Sequence, residues 1–195
     1  MEHFAEKADY GVRLGTLLVF ALILPGVVAS MTSGILFALN FFQASLWLLI
    51  VYIFSFGFLA NVFGHYIDLA LYRNPKIYTK IYPRLFPNKK PLIFEGFPSR
   101  VYKIKDPVNR GAAEYHFAWF CFMWNSGTAI MGLLILKAIM IVLSFTGVLS
   151  LAFSSVNHTT SLFFFFFLVT SLLCFYLADF HARTVLHLAE ISENT

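Results

Sequence analysis

One apolar run of the chain covers residues 122–145 and reads FMWNSGTAIMGLLILKAIMIVLSF, with Lys137 as its single charged side chain. Three further apolar runs occupy residues 14–31, 41–63 and 162–178. About 20 helical residues cross the hydrocarbon core of a bilayer, and an apolar run in lipid satisfies its own backbone hydrogen bonds only as a helix. The sequence therefore predicts an all-α integral membrane protein with four transmembrane helices.

The composition points to the same class. Hydrophobic residues make up 59% of the 195 residues and charged residues 12%, and the mean hydropathy is +0.74. A soluble domain carries about 25% charged residues. The apolar runs are also continuous and too long for the alternating strands of a membrane barrel. These features exclude a soluble globular domain and a β-barrel.

Basic residues are concentrated between the second and the third run. Residues 69–113 hold ten of the 14 Lys and Arg residues against two acids, whereas residues 32–40 and 146–161 carry no charged side chain. Basic connections of membrane proteins stay on the cytoplasmic side. We therefore predict that the basic connector and both termini are cytoplasmic.

The chain divides into two helical hairpins, residues 1–68 and 114–195, joined by the connector of residues 69–113. The connector holds six of the seven prolines, which exclude one long helix, and it is too rich in apolar side chains for a disordered linker. We expect an ordered cytoplasmic region. Pro25-Gly26 interrupts the first run and predicts a kink or local unwinding there.

Small and polar residues follow one face of the second and third helices. In lipid, helices associate where small side chains allow close approach and polar ones form hydrogen bonds. The pattern predicts a helix–helix seam, within the chain or between copies in a homo-oligomer, and a functional polar track is the alternative. The seam comprises Gly57, Asn61, Cys121, Asn125, Thr128, Gly132 and Lys137.

Lys137 lies deep in the third run, roughly 20 Å beyond Trp124 along a helix. A lysine at this depth is costly unless its ammonium reaches the interface, binds a lipid headgroup or faces a wet cavity. We expect it to extend to the outer interface. Lining a pore in an oligomer is the alternative.

Titratable residues gather at the predicted cytoplasmic ends of three helices. Such side chains can bind a metal or transfer protons, but their spacing matches no metalloenzyme motif, and helix-end hydrogen bonds and ion pairs explain them. We therefore expect no catalytic, metal-binding or cofactor-binding site. The cluster comprises His65, Asp68, Glu114, His116, Asp179, Arg183 and His187, with His181 beside them.

Cations alternate with aromatic residues in the connector and form a predicted binding surface. Anionic inner-leaflet lipids attract such segments by about 1 kcal/mol per cation, a soluble cytosolic protein would use the aromatics as anchors, and nucleic acid would stack its bases on them. The first two partners are expected, and direct nucleic-acid binding is not. The surface comprises Lys76, Lys80, Arg84, Lys89, Lys90, Arg100, Lys103, Lys105 and Arg110.

The size, four crossings, inward termini and basic middle connector resemble the small four-pass membrane proteins of bacterial anti-phage defence operons. The nearest are the membrane subunits of the Kiwa system (KwaA), and four-pass accessory proteins of RNA-targeting CRISPR systems are similar in outline. The resemblance is one of architecture along the whole chain, so it assigns no functional residue. It implies a homo-oligomeric sensor in the bacterial inner membrane that works with a soluble, DNA-associated effector.

These observations favour a non-enzymatic membrane subunit that senses a perturbation and recruits a cytosolic effector. Two other functions stay open at this stage. One is an oligomeric pore that depolarises the membrane, based on Lys137 and the polar seam. The other is a membrane enzyme that acts at the cytoplasmic helix ends.

Overall fold

The structure is a computed structural model of the chain, and it describes residues 15–37, 45–73, 101, 103–146 and 158–193. Most of the predicted connector, residues 74–100, lies outside the described residues.

Long helices make up almost all of the described chain. A π-helical turn, Val19–Ile23, leads into α1, Leu24–Phe37. The others are α2, Leu46–Arg73, α3, Pro107–Phe145, and α4, His158–Glu193. Four helical segments are long and apolar enough to cross a membrane, which confirms the predicted all-helical fold and its four spans.

Two of the helices are longer than a membrane crossing requires. α3 has 39 residues and α4 has 36, which correspond to about 58 Å and about 54 Å. The hydrocarbon core takes about 20 residues. The predicted spans 122–145 and 162–178 are therefore the apolar parts of helices that continue beyond it.

Consecutive helices run antiparallel, as cross-helix contacts show. On α3, the carbonyl of Gly127 accepts from Ser171 of α4 at 2.9 Å, and the indole of Trp124 donates to Gly64 of α2 at 3.1 Å. α1 runs parallel to α3, since Phe20 contacts Trp119 and Phe37 contacts Lys137. One end of the bundle, here called the connector end, thus holds the start of α3 and the end of α4.

The start of α3 is fixed by a local capping signal. Asp106 has extended backbone geometry, and its carboxylate accepts from the N–H of Asn109 at 2.9 Å. Pro107 occupies the first helical position, where no N–H is needed. The helix therefore begins seven residues before Glu114, inside the range assigned to the connector from the sequence.

The connector ends of α3 and α4 share a small apolar core with the residues just before α3. Ala113 of α3 and the buried face of α4 pack together there, and Val101 and Ile104 complete the cluster at 2% and 3% exposure. We call this part, residues 101, 103–116 and 181–193, the extension. The buried face of α4 consists of Ala182, Val185 and Ala189.

The irregularity expected at Pro25 appears one turn earlier in the chain. Proline lacks an N–H and its ring crowds the carbonyl four residues before it, which here belongs to Ala21. Residues Val19–Ile23 widen into a π-helical turn in which the N–H of Leu24 donates to Val19. The helix then continues through Pro25 and Gly26 without a break.

Two glycines bring the first and second spans into backbone contact. A Cβ on Gly26 would overlap the carbonyl oxygen of Ile53, and a Cβ on Gly57 would overlap that of Leu22. Backbone lies on both sides, so no side chain can move aside to make room. This crossing therefore depends on the absence of a side chain at both positions.

Replacing Gly57 with alanine should destabilise the bundle by about 1–3 kcal/mol, the usual cost of overpacking. The measurement is unfolding in mixed detergent micelles, followed by circular dichroism. Gly111→Ala is the matched control, because a Cβ there meets nothing within 4 Å and alanine favours a helix. Equal stabilities of the two variants would contradict the crossing.

Candidate functional site

Asn125 lies at the centre of the membrane bundle and joins three helices. Its side chain is 4% exposed. The amide nitrogen donates to the carbonyl of Ala21 at 2.8 Å and to the side-chain oxygen of Asn61 at 3.1 Å. α1 and α2 are therefore both bonded to α3 through one side chain.

The partner of Asn125 on α1 is the carbonyl that Pro25 disturbs. Pro25 cannot provide the α-helical hydrogen bond to Ala21, and a bundle in lipid has no water to replace it. Asn125 supplies a donor from α3. Gly64 makes room for this arrangement, because a Cβ there would lie 2.9 Å from the Asn125 side-chain oxygen.

The other residues of the predicted seam have different surroundings. Gly57 lies in the crossing with α1, Cys121 is half-buried as a free thiol, and Thr128 is buried. Gly132 is exposed, and a Cβ there would meet nothing within 4 Å. The seam thus has an inner part that joins helices of one chain and an outer position that faces away from them.

Lys137 points into the chain and not towards lipid. It is 4% exposed, and its ammonium lies 5.5 Å from the ring centroid of Phe37, the last residue of α1. A cation over an aromatic face is favourable, more so away from water. Since Phe37 ends α1, the contact lies at the end of the bundle opposite the connector end.

An apolar groove runs between α2 and α3 next to this seam. Its volume is about 440 Å³. Small residues such as Ala60 and Thr128 lie in it beside large ones such as Phe56 and Phe63. The Thr128 hydroxyl has no accessible surface and no hydrogen-bond partner within the described residues, so the groove presents hydrocarbon.

The helix-end cluster separates into pairs. Arg110 donates to Glu114 at 3.1 Å, and Arg183 donates to the buried Asp179 at 2.9 Å. These are contacts between residues four apart on one helix, which stabilise the helix modestly. His65 and His187 are exposed, and the side chain of Asp68 lies outside the described ones.

The cluster also contains a contact between two histidines that the sequence did not pair. The Nδ1 atoms of His116 and His181 are 2.8 Å apart. Both residues lie at the junction of the membrane bundle and the extension. Predicting this contact requires the register of α3 against α4, which no sequence pattern gave.

Aromatic rings surround the histidine pair. Trp119 stacks on the ring of His181 with an interplanar angle of 16°, and its indole nitrogen is buried without a partner among the described residues. Tyr115 and Phe180 meet the two imidazoles edge-on. The pair is thus half-buried among aromatic rings, with Trp119 covering one face of His181.

The described part of the basic surface lies on the extension. Lys103 and Lys105 are exposed, and Arg110 is half-buried beside Glu114. They flank the buried Val101 and Ile104, so charged and apolar side chains alternate there. The remaining members lie outside the described residues: Lys76, Lys80, Arg84, Lys89, Lys90 and Arg100.

The described polar side chains form hydrogen bonds and ion pairs within and between helices. In the described part of the chain, no three His, Cys, Asp or Glu side chains come together as a metal site would require. The polar groups instead connect helices in the membrane and at the junction. A movement of the bundle can therefore reach the extension through α3.

Replacing Asn125 with leucine should weaken the bundle by about 1–2 kcal/mol, because hydrogen bonds between membrane helices contribute about 0.6 kcal/mol each on average and up to about 2. The measurement is the free energy of unfolding in mixed micelles. Thr170→Val is the control, since Thr170 bonds only to Phe166 of its own helix. A loss of the same size in both variants would argue against a role in joining helices.

Comparison of the chain with protein-family models, with curated proteins and with solved structures finds no match in any of the three.

Proposed function

We propose that the chain is a non-enzymatic, self-associating subunit of a bacterial inner membrane that senses a membrane perturbation and recruits a soluble cytosolic effector. The observation that carries this proposal is the extension. α3 and α4 continue past the membrane core as one packed pair, and the residues before α3 are built into that pair. A shift of α3 in the membrane would therefore move the connector.

The orientation follows from the charge distribution. The basic connector belongs on the cytoplasmic side by the positive-inside rule, so the extension and both termini would lie in the cytoplasm. The resemblance to four-pass defence subunits gives this arrangement a biological setting, in which the effector would act against phage.

The exposed surface of the extension supports a protein as the partner. Besides Lys103 and Lys105 it presents apolar side chains, among them Val108 at 78% and Tyr115 at 58% exposure. Cations next to exposed aromatic and aliphatic groups are typical of protein interfaces. Binding to phosphates alone would not require the apolar members.

Reversing the basic charges should release the effector. In the variant, Lys103 and Lys105 are changed to Glu together with Lys80, Arg84, Lys89 and Lys90. We expect a soluble protein to be captured by crosslinking and affinity purification of the wild type from its native host, and to be lost from the variant.

Two comparisons make this result interpretable. Val108→Ala with Ile191→Ala removes exposed apolar groups of the extension without changing charge, and weaker capture would show that they contribute to docking. Protease protection verifies that every variant keeps its orientation. The same captured proteins in the wild type and in the charge-reversed variant would refute recruitment through this surface.

Self-association is the second part of the proposal, and α3 provides the face for it. Gly132 is exposed on α3, and small residues let membrane helices approach closely. Gly26 and Gly57 show that this chain uses glycine for such contacts, whereas a Cβ on Gly132 would meet nothing within 4 Å among the described residues. The groove of about 440 Å³ lies beside it and would receive side chains of the second copy.

Replacing Gly132 with leucine should weaken self-association about tenfold or more, equivalent to about 1.4 kcal/mol. The measurement is native mass spectrometry from mild detergent over a range of protein concentrations. Gly111→Leu serves as the control, because Gly111 is exposed on the extension. A wild type that is monomeric at all concentrations would overturn this part of the proposal.

A further inference from the structure

Two imidazoles on different helices share one proton at the junction of bundle and extension. The Nδ1 atoms of His116 on α3 and His181 on α4 are 2.8 Å apart, and the ring centroids are separated by 5.1 Å. At this distance one Nδ1 donates and the other accepts, because two lone pairs or two N–H groups would repel each other.

The contact tolerates one added proton but not two. In the neutral pair, one ring carries a proton on Nδ1 and the other presents a lone pair. A first added proton makes one ring an imidazolium that still donates to its neutral partner, in a stronger, charge-assisted hydrogen bond. A second leaves two positively charged donors facing each other, and the contact must open.

We propose that His116 and His181 form a proton sensor, in which doubly protonated imidazoles separate α3 from α4 at the junction and loosen the extension. This inference rests on the proposed function in one respect, which is that acidification would be the perturbation that the subunit senses. The structural response is a property of the chain alone.

The carboxylates closest to the pair in sequence are each bonded to an arginine. On α3 the nearest carboxylate in the sequence, Glu114, accepts from Arg110, and on α4 Asp179 accepts from Arg183. The first span, residues 15–37, contains no ionisable side chain. Among the described residues, the other groups of this end of the bundle that carry or can take up charge include the exposed His65, His187, Lys103, Lys105, Asp106 and Glu190, together with Asp68, Arg73 and Glu193, whose side chains are not described.

The aromatic surroundings distinguish the first proton from the second. Trp119 stacks on His181, and an aromatic face stabilises one neighbouring cation. Tyr115 and Phe180 contact the two imidazoles edge-on, and both histidines are half-buried. A singly charged pair is therefore well accommodated here, and a doubly charged one is not.

The pair lies next to the core of the extension, so loss of its hydrogen bond would change the structure of the extension. Ala113 and Ala182 are buried in the core of the extension. His116 lies one turn after Ala113, and His181 directly precedes Ala182. Val101 and Ile104 pack into the same core. Separation of the two helices at the junction would remove their support and change the surface next to Lys103 and Lys105.

The test measures the distance between the two helices of the extension as a function of pH. Nitroxide labels are placed at Val108→Cys and Ile191→Cys, both exposed positions, in a variant with Cys121→Ser and Cys174→Ala. Pulsed electron–electron double resonance in lipid nanodiscs is recorded from about pH 8 to about pH 5, the range in which histidine changes charge. We expect the distance to become longer and its distribution broader on acidification.

Two glutamine variants decide whether the pair is responsible. In His116→Gln the amide oxygen accepts from His181 in either charge state, so the short distance should persist at acidic pH, and His181→Gln should behave alike. His187→Gln alters an exposed histidine of the same helix and should keep the full response.

Several results would overturn the sensor. They are a distance in the wild type that does not change with pH, a lengthening in either pair variant as large as that in the wild type, or loss of the response in His187→Gln. A distance that changes on addition of zinc at constant pH, and not with pH, would make the pair a metal site instead. None of these outcomes depends on whether an effector is captured.

Discussion

The missing N–H of Pro25 is the constraint on which the membrane bundle depends. In water, the carbonyl of Ala21 would find another donor, but in a bilayer the protein must supply one. Asn125 does so from α3 and uses the same amide to bond Asn61 of α2. The missing hydrogen bond on the first span is thus matched by a donor at one position of α3. The helices approach closely there, and glycine at Gly26, Gly57 and Gly64 leaves room for that approach.

The four membrane spans could be predicted from the sequence, whereas the helix ends and the contacts between helices could not. The four spans follow from hydropathy because only helices satisfy the backbone in lipid. The ends of α3 and α4 do not, since both helices continue past the apolar residues. The cap at Asp106-Pro107, where α3 begins, is a local sequence signal that the prediction did not use. The depth of Lys137 could be counted along a helix, but its direction into the chain depends on how α1 packs. Likewise, His116 and His181 were recognised from the sequence as titratable residues at helix ends, but not as a pair. Their contact joins residues 65 apart in sequence.

The two halves of the structure differ in how they resist movement. In the membrane, α1–α3 are joined by backbone contact and by buried hydrogen bonds, which lose their partners if the helices slide. In the extension, α3 and α4 meet through small apolar side chains, chiefly Ala113, Ala182 and Ala189. Contacts of this second kind have no strong directional preference. A force on α3 would therefore move the bundle as a unit and reach the extension, where the apolar packing gives way more easily.

The histidine pair lies between the membrane bundle and the extension. Along α3, His116 is nine residues or about 13 Å from Asn125. Its hydrogen bond is a directional contact between α3 and α4 next to the extension core, so it limits how freely the apolar part can open. A switch needs two discrete arrangements that a stimulus can bias. The pair provides this because its contact is either made, with one shared proton, or broken, with two, whereas an apolar contact would yield gradually. A bundle joined by hydrogen bonds and glycine contacts, with a titratable contact beside the core of its extension, can thus convert the binding of one proton into a changed surface.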